Sequence, residues 1–169
     1  MNKDKPLVNR VAKSGIVTIN LEDYFPQNEI LEFDITDYLF KGLILREKDF
    51  RASLDEHDWT QYKDKNLAVH CSADAIVPIW AFQLVTINAS EYAKNISYGN
   101  VKDFLIAYYY QRLQALEMEQ FKDKRCVIKG CGNLPVPISA YTEIVRLLVP
   151  VAKKIMYGEP CSMVPIYKK

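Results

Sequence analysis

The sequence has no excess of either charge, no long hydrophobic run and no tightly spaced cysteine pair. Each absence removes a class of function. Lys and Arg total 22 against 21 Asp and Glu, a net charge of +1. That excludes a strongly basic nucleic-acid binder and an acidic disordered tail. The most apolar stretch, residues 75–89, is interrupted by Pro78, Gln83 and Asn88. It falls short of the ~20 residues that a bilayer span needs. The sequence begins Met1-Asn2-Lys3-Asp4-Lys5-Pro6, with no apolar run of signal-peptide length behind these charges. The expectation is a cytoplasmic protein with neither a membrane nor a nucleic-acid partner. CxxC pairs, Walker loops and dinucleotide fingerprints are also missing.

What is present is ordinary globular material. The chain is 49% hydrophobic and 25% charged over 169 residues, which suggests one domain spanning residues 1–169. A chain of this length buries roughly 68–70% of its unfolded surface, so it needs no disulfide scaffold. Its four cysteines, Cys71, Cys126, Cys131 and Cys161, are widely spaced. In a reducing compartment they read as core thiols, metal ligands or catalytic groups.

Residues 62–99 resemble residues 121–158 at a constant offset of 59. Tyr62-Lys63-Asp64-Lys65 matches Phe121-Lys122-Asp123-Lys124, and Val77-Pro78-Ile79 matches Val136-Pro137-Ile138. Tyr98-Gly99 closes the first copy and Tyr157-Gly158 the second. Such self-similarity indicates a duplicated supersecondary unit. Each copy reads as strand, helix, strand: 67–71, about 77–92 and 95–98 in the first; 126–128, about 136–152 and 154–157 in the second. A further helix fits residues 101–120, with Asn100 as its N-cap. Strands alternating with helices imply an α/β fold with a mainly parallel sheet flanked by helices. Residues 163–167 suit an edge strand because of Pro165.

Residues 1–60 read as an extension. Residues 15–21 and 30–35 form two strands, expected to pair as a hairpin. Thr36 caps a helix carrying Tyr38, Leu39, Leu43, Phe50 and Leu54 on one side. The charge run Arg46-Glu47-Lys48-Asp49-Phe50-Arg51 reads as a solvated helix face.

In open parallel sheets, ligands bind beyond the carboxyl ends of the strands. Three segments leave strands there, and each holds a cysteine: His70-Cys71-Ser72-Ala73-Asp74, Lys129-Gly130-Cys131-Gly132-Asn133 and Gly158-Glu159-Pro160-Cys161-Ser162. Cys71, Cys131 and Cys161, with His70 or Asp74 as a fourth ligand, would suit zinc. Alternatively, Cys71 or Cys131 near a helix N-terminus is a reactive thiol. The same geometry would bind an anionic small ligand through backbone N–H groups, with Asp74, Gly130, Gly132, Asn133 and Glu159 around it. Plainer readings compete. A cysteine at a strand end is usually a small buried hydrophobe, Asp74 and Asn133 are placed to cap their helices, and His70 is an ordinary strand residue. Glu47 and Glu159 are the acid–base candidates.

Four segments carry a family likeness: residues 43–51, 70–78, 127–131 and 158–165. They resemble an uncharacterised bacterial family, a domain of unknown function found chiefly in Bacteroidetes. The likeness spans essentially the whole chain. It implies a bacterial, cytoplasmic protein and supplies no catalytic set. Two functions remain open. One is a small-ligand or zinc-binding protein, enzymatic or not, with its site at the carboxyl edge of the sheet. The other is a non-catalytic homodimeric scaffold or partner-binding protein.

Overall fold

A computed structural model of the chain describes residues 15–130, 132–159 and 162–169. Among them, strands and helices alternate as expected for α/β: β1 (Ile16–Ile19), β2 (Ile30–Asp34), α1 (Glu47–Glu56), β3 (Asn66–His70), α2 (Ile79–Ala89), β4 (Asn95–Tyr98), α3 (Val101–Gln114), β5 (Arg125–Ile128), α4 (Ile138–Leu148), β6 (Lys154–Glu159) and β7 (Ser162–Lys168). The strands form two sheets, β1-β5-β6-β7 and β2-β3-β4. All pairings are parallel except β6 with β7. The chain divides into two compact units. Residues 26–108 form one; the described residues up to Phe25, with those from Tyr109 onward, form the other. No described helix is long and apolar enough to cross a membrane.

The expected N-terminal hairpin does not form. β1 pairs with β5 and β2 with β3, so the two strands belong to different sheets. Their connection explains this. It holds a 3-10 turn, Leu21–Tyr24, capped by Asn20, followed by Phe25-Pro26, and so is no tight hairpin turn. Both strands also gain more from central parallel partners: β3 and β5 are fully apolar in the middle and buried on both faces.

The helix expected from Thr36 is also broken. Asp34, not Thr36, caps a short 3-10 turn over Ile35–Tyr38. Lys41 (φ 53°) and Gly42 (φ 69°) then take left-handed conformations, which no continuous right-handed helix admits. Phe40 and Ile44 close that turn as an isolated bridge, and α1 begins only at Glu47. Its outer face is solvated as expected. Arg51 pairs with Glu47 at 3.0 Å, while Phe50 and Leu54 face the core.

Unit 26–108 is built around an aromatic stack. Phe33 on β2 lies 5.1 Å from the Tyr38 ring and 5.6 Å from Trp59, both nearly parallel to it, with His57 edge-on at 5.2 Å. His57 is fully engaged. Its Nδ1 meets Tyr38 Oη at 3.2 Å and its Nε2 meets Tyr62 Oη at 3.1 Å. Burial lowers the His57 pKa, although Asp58 opposes the shift. Burial also pushes the Tyr62 phenol to about 12, with Tyr38 and Asp58 adding to it. α2 buries Ala81, Val85 and Ala89 at helical spacing.

In the other unit α4 does the same with Ala140, Ile144 and Leu148. These positions, like the starts of α2 and α4, lie 59 residues apart. Asp64 and Asp123, at the same offset, both take positive φ (60° and 56°). Their N–H groups bind Tyr92 O and Val151 O. Aspartate tolerates the left-handed region better than most residues. The edge strand β7 contains Pro165, and a register irregularity lies opposite at Ile155/Met156.

Candidate functional site

The segments of Cys71 and Cys131 follow β3 and β5, strands of different sheets and different units. The adjacency of strands on which a joint site was expected therefore does not hold for this pair. It holds for the segments of Cys131 and Cys161, which leave β5 and β6, neighbours in one sheet. Cys131 and Cys161 themselves lie outside the described residues. Among the described residues, no three of His, Cys, Asp and Glu are grouped to hold a metal.

The rim of β2-β3 is closed by its own side chains. The Asp34 carboxylate accepts from Thr36 N (2.9 Å), Ser72 N (3.0 Å) and Ser72 Oγ (2.5 Å). Thr36 Oγ1 accepts from Ser72 N (3.0 Å) and Ala73 N (2.9 Å). These backbone N–H groups are the ones an anionic ligand would have needed. Cys71, half-buried, lies 3.4 Å from Thr36 Oγ1 and donates to Ala73 O. His70 is tied to Glu32, Nε2 to Oε1, at 3.3 Å. Asp74 is exposed and does not cap α2, whose N-cap is Pro78. Asn133 is likewise exposed, and Pro137 takes the N-cap of α4. Proline at this boundary loses no helical hydrogen bond, since its missing N–H would have had no partner there.

Burial alone would raise the Asp34 carboxyl. Hydrogen bonds from Ser72 and Thr36 outweigh it and hold the group at about 2, against an ordinary 3.8. As the folded value is the lower one, the unfolded chain takes up the proton first when pH falls. The stability this carboxylate contributes is complete above pH 3.8 and drains away as pH drops through about 2. Asp34→Asn should cost about 1 kcal/mol at neutral pH, once screening of this partly exposed group is allowed for. It should also flatten the stability profile across that acid window. Urea melts at several pH values check both; an unchanged acid slope would exclude Asp34 as its source.

The rim of β1-β5-β6 is organised differently. The register aligns Ile19 and Ile128, the last residues of β1 and β5, with Tyr157, two residues before the end of β6. Glu22, in the turn after β1, accepts the Leu134 N–H at 2.6 Å. Its carboxylate lies so close to Gly132 that a Cβ there would meet Glu22 Cδ at 2.4 Å. A Cβ on Gly130 would meet the Tyr157 ring at 2.6 Å, and Tyr157 Oη donates to Gly130 O at 3.2 Å. Gly130 and Gly132 thus let the ends of the Tyr157 and Glu22 side chains approach the backbone closely. Tyr157 also contacts the Tyr141 ring edge-on, which ties β6 to the first turn of α4.

At the end of β6, Glu159 Oε1 is shielded from solvent and has no hydrogen-bond partner among the described residues. Ser139 Oγ, in the first turn of α4, is in the same condition. Glu159 pairs with Ser162 across the β6-β7 connection, the segment that carries Cys161. Cys126, inside β5, is fully buried, and burial raises its thiol pKa, as suits a core residue. Glu47 is an exposed ion-pair member.

Glu22, Asp34, Tyr157 and Ser139 were not legible as rim residues. One weak signal existed: Asn20-Leu21-Glu22 follows β1 and Asp34-Ile35-Thr36 starts on the last residue of β2, and both supply polar side chains two apart. Comparison with known proteins adds one match. The model of a family described as protein of unknown function (DUF2480) covers residues 5–169. No curated protein and no solved structure matches the chain.

Proposed function

Because the chain belongs to DUF2480, a family of unknown function, its chemistry has to be read from its own residues, and we propose that it is a zinc-binding protein whose site is the carboxyl rim of β1-β5-β6. The ligands are Cys131 and Cys161, with Glu159 completing the set. The observation that carries this reading is Glu159 Oε1, shielded from solvent and unpartnered among the described residues, beside the exits of the two cysteine-bearing segments. A shielded carboxylate oxygen without a donor is costly unless a cation or proton meets it. Thiolate and carboxylate donors suit zinc. Two cysteines and one carboxylate leave a fourth position for water or a small ligand, as in catalytic rather than closed structural sites. Glu22 and Tyr157 position the Cys131 segment and touch no metal. Cys71, His70 and Asp74 have no part in the site. A reducing, cytoplasmic setting keeps the thiols available.

Metal analysis and cobalt substitution of the full chain test this. Stoichiometric zinc is expected, with thiolate-to-cobalt charge transfer in the cobalt form. Both should be lost in Cys131→Ser and Cys161→Ser, weakened in Glu159→Gln and retained in Cys71→Ser. No metal uptake by the unaltered chain, or equal loss in Cys71→Ser, overturns the reading.

A second reading is supported by Ile76 and Ile79, which are 94% and 77% exposed on the same unit. Apolar surface of this kind marks partner or homodimer contacts. A dimer in sedimentation that Ile79→Asp dissociates, in a chain that takes up no metal, would assign the protein to this second class.

A further inference from the structure

At the opposite, amino end of the same strands, Arg125, Lys153, Lys154 and Lys168 line a cleft of about 380 Å³, with Met156 and Met163 among its apolar walls. Arg125, Lys154 and Lys168 stand on one rung of the sheet, at the starts of β5 and β6 and the end of β7. None of the four cations forms an ion pair among the described residues. Like charges on neighbouring strands repel, and a chain of net charge +1 has enough carboxylates to have paired them.

The other unit treats the corresponding rung in the opposite way. Asn66 and Asn95, 59 residues before Arg125 and Lys154, are also cross-strand partners. Asn95 Nδ2 donates to Asn66 Oδ1 at 2.7 Å, and Asn66 Nδ2 donates to Asn28 O at 2.9 Å. Lys94, at the same offset from Lys153, donates to Asn28 Oδ1 at 3.1 Å. Lys65 is paired with Glu29 at 3.0 Å. One rung is therefore neutral and satisfied from within. The other gathers cations that are unpaired among the described residues around a cleft.

We infer that this cleft binds a compact polyanion, a phosphate ester of a small metabolite. The guanidinium fork of Arg125 matches phosphate oxygens, and the three ammonium groups add point charges around it. The volume lies in the range of small-molecule sites. The two flexible methionines supply an adaptable apolar wall for the organic part. The cleft is independent of the zinc rim and uses none of its residues.

Calorimetric titration of the full chain with sodium pyrophosphate at low ionic strength is the test. Saturable binding is expected, weakening as salt is raised. The double variant Arg125→Gln/Lys154→Gln should lose at least about tenfold in affinity, since two charge-assisted contacts go. Arg125 is exposed and Lys154 half-exposed, so the fold is not at risk. Glu159→Gln should bind pyrophosphate as the unaltered chain does, which separates this site from the zinc rim. Absence of saturable binding, or undiminished affinity in the double variant, overturns the inference. Tighter binding of a single-stranded oligoadenylate than of pyrophosphate, lost in the same variant, overturns it in favour of a nucleic-acid backbone.

Discussion

Replacing Phe33 by alanine should remove about 3–5 kcal/mol of stability, the upper range for a buried aromatic. Phe33 is 2% exposed and touches three other rings. Truncation leaves a cavity bordered by Tyr38, His57 and Trp59. These cannot collapse into it without giving up hydrogen bonds: Trp59 Nε1 donates to Leu54 O at 2.9 Å, and His57 is held at both ring nitrogens. A loss of this size is a large fraction of the ~5–15 kcal/mol that stabilises a whole domain. The unit of residues 26–108 should therefore melt early, with loss of the Trp59 near-ultraviolet signal. Phe33→Leu keeps most of the volume and should cost about 1–1.5 kcal/mol. Urea denaturation followed by tryptophan fluorescence measures both. An alanine variant within about 1 kcal/mol of the parent would show that the ring is not a core anchor.

Gly158→Ala should cost about 2–4 kcal/mol, from backbone strain added to a steric clash. Gly158 has φ 120°, a conformation that side-chain-bearing residues avoid, and a Cβ there would sit 2.5 Å from Ser162 O. The obstructing atom is backbone, so no rotamer change relieves it. Relief requires β6 and β7 to part where Gly158 faces Met163. Gly42 is the control. Its φ is 69° with nothing within 4 Å of an added Cβ. Gly42→Ala should cost only the left-handed penalty, about 1–2 kcal/mol. Thermal melts of the two variants give the difference. The zinc-binding proposal adds an expectation: Gly158→Ala should also lose metal at temperatures where it remains folded, since the strain falls at the end of β6, beside the Glu159 ligand. Gly42→Ala should keep it.

These two sites show how far the sequence could be read. The strand–helix–strand runs were legible because apolar stretches of element length lie between charged turns. The helix around residues 80–87 reads as apolar on most sides, and β4 spans residues 95–98 as expected. Asn100 was legible as a cap, and its Oδ1 accepts from Lys102 N and Asp103 N. The hairpin of β1 and β2 was not. Two short strands near one another in sequence look alike whether they pair or part, and only the partners on β5 and β3 decide.

The capping roles of Asp74 and Asn133 failed for a related reason. Val-Pro fixes the residue ahead of each helix in an extended conformation, and this pushes the helix start several residues onward. The candidate site was legible only as a list of segments. Glu159 and the glycines around Cys131 were on that list. Glu22 and Tyr157 were not, because what gives them a role is contact across strands.

By itself the sequence determined the strand–helix–strand runs from residue 66 onward and the 59-residue spacing, since these depend on neighbours along the chain. Only the tertiary structure decided which strands share a sheet, and so which cysteine segments are neighbours. It alone left Glu159 Oε1 without a partner among the described residues and gathered four cations around one cleft. Those outcomes depend on cross-strand register and on which polar atoms lose contact with water, and no local pattern encodes either.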